Sequence, residues 1–333
     1  MPVRLLNRAD VTRLLPMTEC IEAMVGALTA LSRGAAQLPL RMVLRTGGDA
    51  GRFGVMPAEL TEPAVLGAKI ITVYQGNEGS GLDSHQGVVL LFDPANGSPE
   101  AILDAISITA IRTAAVSGAA TRVMSRQDAG DLAILGSGVQ ARTHLEAMAV
   151  VRRLRRVRVW SRQPARAREF ADWARQRGSQ RVEPVDTVAG AVEGADLICT
   201  VTASPTPVLE GRWIAPGAHL NVVGSSVANT REIDGAAMAR GRLIVDRVES
   251  AMKEAGDFLM ARDEGAVRDD HIKGELGDVL AGRVAGRTGP DEITIFKSLG
   301  LAIEDLAAAE LVVRKANAAG VGVVVDLAAR DPA

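Results

Sequence analysis

The spacing of apolar positions changes twice along the chain. Near the N-terminus, Ile21, Met24, Val25 and Leu28 recur at three- and four-residue intervals behind Thr18, a suitable N-cap, and predict a helix. The spacing then tightens. Residues 38–45 and 52–56 read as short strands around the turn-rich segment TGGDAG (46–51), and residues 67–74 and 87–93 are longer apolar strands. Between 93 and 100, Pro94 and the Asn96-Gly97 pair predict a hairpin turn into a further strand. From Asp131 the rhythm becomes strand, helix, strand. Residues 131–138 form an apolar strand running into a glycine turn, 139–151 read as a helix, and 157–162 read as a second strand followed by an Ala- and Arg-rich helix. Residues 196–202, 219–226, 242–246 and 292–300 supply four more strands, and 301–316 a closing helix. This alternation predicts an α/β fold, with a doubly wound parallel sheet beside an α+β region built mostly from strands framed by helices.

Composition narrows the function classes. Hydrophobic residues make up 47% of the chain and charged residues 23%, enough for a large core and too apolar for disorder. Lys and Arg total 38 against 40 Asp and Glu, which excludes a strongly basic nucleic-acid binder. Aromatic residues at 3% argue against a base-stacking platform. Asp104 and Arg112 interrupt the most apolar stretch, 102–120, so no membrane span is expected. The opening MPVRLLNRAD carries charge where a signal peptide needs an apolar run. Cys20 and Cys199 make neither a disulfide framework nor a metal site. A cytoplasmic protein without a metal is the expectation.

The glycine turn carries the clearest chemistry. Gly136-Ser137-Gly138-Val139-Gln140-Ala141 fits G-x-G-x-x-A after an apolar strand and at the start of a helix, the Rossmann context for a dinucleotide. Gly136 permits the tight turn, Gly138 lets the backbone approach a pyrophosphate, and Ala141 keeps helix and sheet close. The helix N-terminus presents unpaired N–H groups and a positive dipole end to the phosphates. At the end of the second strand, an NAD enzyme usually places a carboxylate on the ribose hydroxyls. Here the chain reads Trp160-Ser161-Arg162, with Arg166 one turn later. Arg162 pairing with a 2′-phosphate, and Ser161 donating to it, favours NADP(H), with NAD(H) as the alternative. The other reading of Arg162 and Arg166 is a solvated basic surface shared with Arg152, Arg153, Arg155 and Arg156.

Taken together, the segments PLR (39–41), GVMPA (54–58), AKIITVY (68–74), SHQGVVLLFDPANG (84–97), ITAIRTAAVSGAAT (108–121), ILGSGVQA (134–141), DLICTVTAS (196–204), WIAPGAHLNVVGSS (213–226), REID (231–234), GELGDV (274–279) and TIFKSLG (294–300) closely resemble the ornithine cyclodeaminase/mu-crystallin family. The resemblance spans residues 38–315. It implies a substrate-binding and dimerisation domain from residues 1–120 and 305–333, a Rossmann domain from 121–304, and a homodimer whose substrate domains share a barrel-like core.

The resemblance also implies a substrate-carboxylate site at Arg41, Lys69 and Arg112. The residues agree in kind. Lys69 interrupts an apolar strand and Arg112 an apolar, small-residue segment, and a cation so placed needs an anion from the protein or from a ligand. No neighbouring acid is an obvious partner in the sequence. A desolvated Lys69 near two arginines should have a depressed pKa and exchange a proton with substrate nitrogen, which makes it the catalytic candidate. His85 is either a contact to substrate or a hydrogen-bonded turn residue. Ser84, Arg112, Thr113, Thr202 and Ser298 match family positions near the cofactor, although the hydroxyl residues could equally cap helices or close turns. His144, His219 and His271 are isolated and read as structural.

One departure bears on the reaction. Ornithine cyclodeaminases carry an Asp in a G-x-D segment after the fourth strand. This chain has Gly224-Ser225-Ser226, and Ser226 cannot offer a carboxylate to an ammonium. The expectation is therefore an NAD(P)H-dependent reductase of small α-imino acids, such as Δ1-pyrroline-2-carboxylate or Δ1-piperideine-2-carboxylate, with Ser226 lining the substrate site. Cyclodeamination of ornithine, an alanine or iminosuccinate dehydrogenase activity, and a non-enzymatic dinucleotide-binding role are the alternatives.

Overall fold

The computed structural model describes residues 2–47, 50–77, 80–178 and 182–327. The chain divides into two compact units. One comprises Met1–Arg112 with Leu301–Ala333, and the other comprises Thr113–Gly300.

In chain order the first unit runs β1 (Pro2–Leu6), α1 (Arg8–Leu14), α2 (Met17–Ser32), β2 (Ala36–Gln37), β3 (Met42–Thr46), β4 (Gly51–Thr61), β5 (Ala64–Val73), β6 (His85–Phe92), β7 (Pro99–Asp104) and the start of α3 (Ala105–Met124). The second unit continues with β8 (Asp131–Leu135), α4 (Val139–Val151), β9 (Arg156–Trp160), α5 (Pro164–Gln176), β10 (Val182–Val185), α6 (Val188–Val192), β11 (Leu197–Thr200), β12 (His219–Val222), α7 (Gly235–Arg240), β13 (Gly241–Val245), α8 (Val248–Glu254), α9 (Gly256–Asp263), β14 (Ile272–Glu275), α10 (Leu276–Leu280) and β15 (Ile293–Lys297). Helix α11 (Ala302–Ala319) and β16 (Val323–Asp326) return the chain to the first unit.

The first sheet has the order β16-β1-β7-β6-β5-β4-β2, with β3 also on β4. Strands β4 to β7 form an antiparallel meander, and Lys69 lies between Met56 of β4 and Val89 of β6. Residue alternation defines the inner face. Met56, Ala58 and Leu60, Val65 and Lys69, Val89 and Leu91, and Ala101 and Leu103 are all buried. Helix α11 lies across β4, β5 and β6 and beside α2, closing this face. Gly67 of β5 permits the approach, because a Cβ there would stand 3.0 Å from Leu306 and far too close to the Leu90 carbonyl. The fold thus places a lysine on an apolar face directly beneath a helix.

The second sheet is parallel throughout, in the order β10-β9-β8-β11-β12-β15-β13-β14. Strand order reverses between β8 and β11, the arrangement of a doubly wound Rossmann sheet; the first unit is α+β. Helix α4 occupies the predicted residues. Two strands beyond the six expected, β10 and β14, form the edges. Each is four residues long and contains Pro184 or Gly274, which hide a strand from pattern reading but are tolerated at an edge.

Two local expectations need correction. Thr18 sits inside the first turn of α2; Pro16 occupies the N-cap position without a side-chain bond. Of the strand expected over 38–45, only residues 42–45 are extended, in β3; residues 38–41, with Pro39 among them, are irregular and separate β3 from the two-residue β2. Of the turn at TGGDAG, Gly48 and Asp49 lie outside the described residues. The short helix α1 was not anticipated. It is fixed by a capping box, in which the Asn7 side chain accepts from the Ala9 and Asp10 N–H groups and Asp10 reaches back to Asn7.

Candidate active site

In the first unit the structure gathers two of the expected cations around two carboxylates that pattern reading missed. Lys69 is 3% exposed, and its Nζ stands 2.6 Å from Asp305 Oδ2. Arg112 donates from Nε to Asp305 Oδ1 at 2.9 Å and from Nη1 to Glu304 Oε2 at 2.6 Å. Glu304 and Asp305 are fully buried in the first turn of α11. A buried acid pair in an otherwise Ala- and Leu-rich helix was the available signal, lost because its partners lie about two hundred residues away.

The electrostatics follow from this geometry. Burial pushes the Lys69 ammonium down to about 8; Asp305 opposes the shift, and the charges of Arg112 and Arg41 add to it. Burial alone would raise the Asp305 carboxyl, but Arg112 and Lys69 hold it below the ordinary carboxylate value. Arg41 stands half-buried immediately before β3, close enough for its charge to act on Lys69. His85 opens β6 with its Nδ1 3.1 Å from Ser84 Oγ. Desolvation first and the Lys69 charge second lower its pKa, which favours the neutral ring at pH 7. Arg41, Lys69, His85 and Arg112 are therefore brought within one electrostatic neighbourhood, and Ser84 comes with His85.

In the second unit the glycine turn adopts the geometry its sequence implied. Gly136 has φ of 123°, and a Cβ there would meet the Val201 carbonyl at 2.7 Å, so only glycine fits. A Cβ on Gly138 would meet nothing within 4 Å, leaving open space at the helix N-terminus. Gly138 is also the N-cap of α4 and provides no side-chain cap, so the first-turn N–H groups are not taken by a capping side chain. Val139 is exposed, Ala141 is buried, and Gln140 Oε1 is buried without a partner among the described residues. Ser137 donates to Ser161 at 3.0 Å across the ends of β8 and β9, leaving the Ser161 hydroxyl hydrogen for another acceptor. An uncapped helix start, open space above Gly138 and a serine pair at the ribose position fit a dinucleotide.

The remaining candidates lie elsewhere in the second unit. Thr113 is buried on α3. Thr202, half-buried Ser226 and buried Ser298 follow the C-terminal ends of β11, β12 and β15. His144 and His219 are buried hydrogen-bonded residues; burial lowers their pKa to about 4 and about 3. His271 Nε2 lies 2.9 Å from the Met238 carbonyl. All three have structural surroundings. Among the described residues no group of three or more His, Cys, Asp or Glu could hold a metal ion.

A profile of the ornithine cyclodeaminase/mu-crystallin family matches residues 3–320. The chain belongs to this family. It is 41% identical to the ketimine reductase mu-crystallin of Mus musculus over 292 residues, covering 88% of the chain and 89% of the mouse protein. The structure superposes on Thermococcus litoralis Δ1-pyrroline-2-carboxylate reductase in complex with NADH and L-proline, with TM-score 0.93, 37% identity and coverage of 96% and 99% of the two chains. It matches an archaeal alanine dehydrogenase dimer with bound NAD equally well, with TM-score 0.93, 29% identity and coverage of 98% and 100%.

These relatives correct the cofactor expectation. Both solved structures hold the unphosphorylated dinucleotide, NADH in one and NAD in the other, so NAD(H) replaces NADP(H) as the favoured cofactor. The residues offer a physical reason. Arg162 is exposed beyond the end of β9, on the solvated basic surface.

Proposed function

We propose that this protein reduces small cyclic α-imino acids, Δ1-pyrroline-2-carboxylate among them, to the corresponding L-amino acids with NADH. The observation that carries the reading is the buried Lys69–Asp305–Arg112–Glu304 cluster in a chain so similar to a reductase solved with NADH and L-proline. The Arg41 charge acts on the same lysine, and guanidinium groups suit the carboxylate of an imino acid.

In this reading Arg41 and Arg112 hold the substrate carboxylate, and Glu304 and Asp305 keep Arg112 in position. Lys69, whose pKa near 8 leaves it mostly protonated at pH 7, gives a proton to the imine nitrogen. NADH, when bound, supplies the hydride that reduces the carbon. The C=N double bond becomes a C–N single bond with a new C–H and a new N–H bond, and NAD+ is the other product. His85, neutral at pH 7, adds a polar contact without a second positive charge. The Gly136–Ala141 turn and Ser161 hold the dinucleotide. Ser226, in place of an acid, leaves no carboxylate for a side-chain ammonium and argues against ring closure of ornithine. We further propose a homodimer, as in the archaeal alanine dehydrogenase; Met42, Val43 and Leu44 of β3 are exposed apolar residues suited to an interface.

The test is NADH oxidation by the purified protein with Δ1-pyrroline-2-carboxylate and Δ1-piperideine-2-carboxylate, run beside ornithine plus NAD+ with ammonia as the readout. Oxidation with either cyclic imine and no ammonia from ornithine is expected. Ammonia and proline from ornithine without net NADH would replace this reading with a cyclodeaminase.

A further inference from the structure

The second unit contains another buried ionic network. Glu232 is fully buried, and its carboxylate accepts four hydrogen bonds. Oε1 receives the Thr202 N–H at 2.5 Å and the Thr202 hydroxyl at 2.8 Å, and Oε2 receives the Thr200 hydroxyl at 2.7 Å and the Gly224 N–H at 2.6 Å. One side chain thus joins the ends of β11 and β12. The join is tight, since a Cβ on Gly224 would stand 2.0 Å from the Thr202 carbonyl and 2.5 Å from Glu232 Oε1. Glu232 is anchored in turn by Asp257 of α9, whose Oδ1 accepts from the Glu232 and Ile233 N–H groups at 2.7 and 3.1 Å. The other Asp257 oxygen meets Lys297 Nζ at 2.9 Å. Lys297, fully buried at the end of β15, also donates to the Ser225 carbonyl at 2.5 Å.

Each link lands beside a residue already placed at the C-terminal edge of the sheet. Glu232 holds Thr202, Lys297 holds Ser225 next to Ser226, and Lys297 itself precedes Ser298. In a doubly wound sheet the ligand lies outside the carboxyl ends of the strands, across the point where strand order reverses. The pyrophosphate turn follows β8 and the ribose position follows β9. The other half of the sheet, with β11, β12 and β15, is left for the nicotinamide end.

We propose that Glu232 and Lys297, joined through Asp257, are positioning residues that fix the three loops under the nicotinamide half of the dinucleotide, and so set the placement of the ring without touching it. The inference rests on the dinucleotide reading above. It predicts a separation that general support of the fold would not produce. Loosening the network weakens binding of NADH, which reaches both halves of the sheet, and spares ADP-ribose, which lacks the nicotinamide.

The experiment compares fluorescence titration with NADH and calorimetric titration with ADP-ribose for the full-length wild type, Glu232→Gln, Thr200→Val and Thr200→Ser, with thermal midpoints recorded for each. Glu232→Gln turns an acceptor into an NH2 group facing two donors. Thr200→Val removes a single donor in an isosteric side chain, and keeps the test alive if Glu232→Gln does not fold. The expected result is NADH affinity reduced about tenfold in both variants, ADP-ribose affinity unchanged within about twofold, and recovery in Thr200→Ser. Equal weakening of both ligands, or no change in either with the variants folded, overturns the inference, as does a wild type that binds no NADH. A wild type that binds NADH but reduces no imino acid refutes the proposed reaction, while the NADH and ADP-ribose comparison still decides this one.

Discussion

The two units each bury a lysine of a β-strand against an acid from a helix, yet the two arrangements suit different work. Lys297 is satisfied by Asp257 and by the Ser225 carbonyl, and the adjoining carboxylates are filled by N–H and O–H donors of the chain. Every partner there is fixed, so releasing one leaves a buried polar group unpaired. Lys69 instead shares Asp305 with Arg112, and a second arginine acts on it from nearby. The ammonium is pushed down to about 8, where it gains and loses a proton near neutral pH. The lesson is that residue type and burial do not separate scaffold from chemistry. What separates them is whether backbone groups of the chain help to satisfy the charge, or whether it shares a carboxylate with another cation while like charges press on it.

The sharpest way to break this comparison is the same substitution on both sides. Lys69→Met should lower kcat/KM for the cyclic imine by about a thousandfold, the loss of a proton donor and a substrate contact together, while NADH titration stays near wild type. Lys297→Met leaves Asp257 buried without its cation and should lower the unfolding free energy by about 3–5 kcal/mol, read by urea denaturation. Lys69→Met should cost less stability than this, because Arg112 still neutralises Asp305. If Lys297→Met proved the catalytic lesion and Lys69→Met the structural one, the assignment of roles would be reversed.

A smaller effect tests the titration. A Lys69 that must be protonated to act gives a rate that holds at low pH and falls as pH rises through about 8. The Asp305 carboxylate raises the Lys69 pKa, so Asp305→Asn should move the falling limb to lower pH. The free imine titrates identically in both enzymes, so the displacement belongs to the protein. The pH dependence of kcat/KM for wild type and Asp305→Asn checks this. A limb that stays in place, or moves up, would take Lys69 out of the proton transfer.

Much of this was legible in the chain. The Gly136–Ala141 turn, the helix over 139–151 and the strand bearing Lys69 are local patterns, and local patterns survive into the fold because period and turn chemistry dictate them. The cations were visible as interruptions of apolar segments. Their counter-ions were not, because Asp305 and Glu304 meet Lys69 and Arg112 only through the return of α11 across the sheet. Glu232 was hidden for a related reason. In sequence it is one charged residue in REID, and only the pairing of β11 with β12 brings Thr200, Thr202 and Gly224 around its carboxylate. The cofactor preference failed on a third ground, since an arginine at a strand end reads alike whether it meets a phosphate or water.

That last ambiguity gives the smallest prediction, and a control for both clusters. Arg162 is a cation on the exposed surface, without the burial of the two lysines. An exposed cation acts through water and salt, and its contribution to binding an unphosphorylated ribose is of the order of a surface ion pair, about 0–1 kcal/mol. Arg162→Ala should therefore change NADH affinity by less than about threefold, with the difference shrinking as salt rises. The measurement is NADH titration at low and moderate ionic strength beside the wild type. A tenfold loss that persisted in salt would mean that Arg162 closes onto the ribose when the dinucleotide binds.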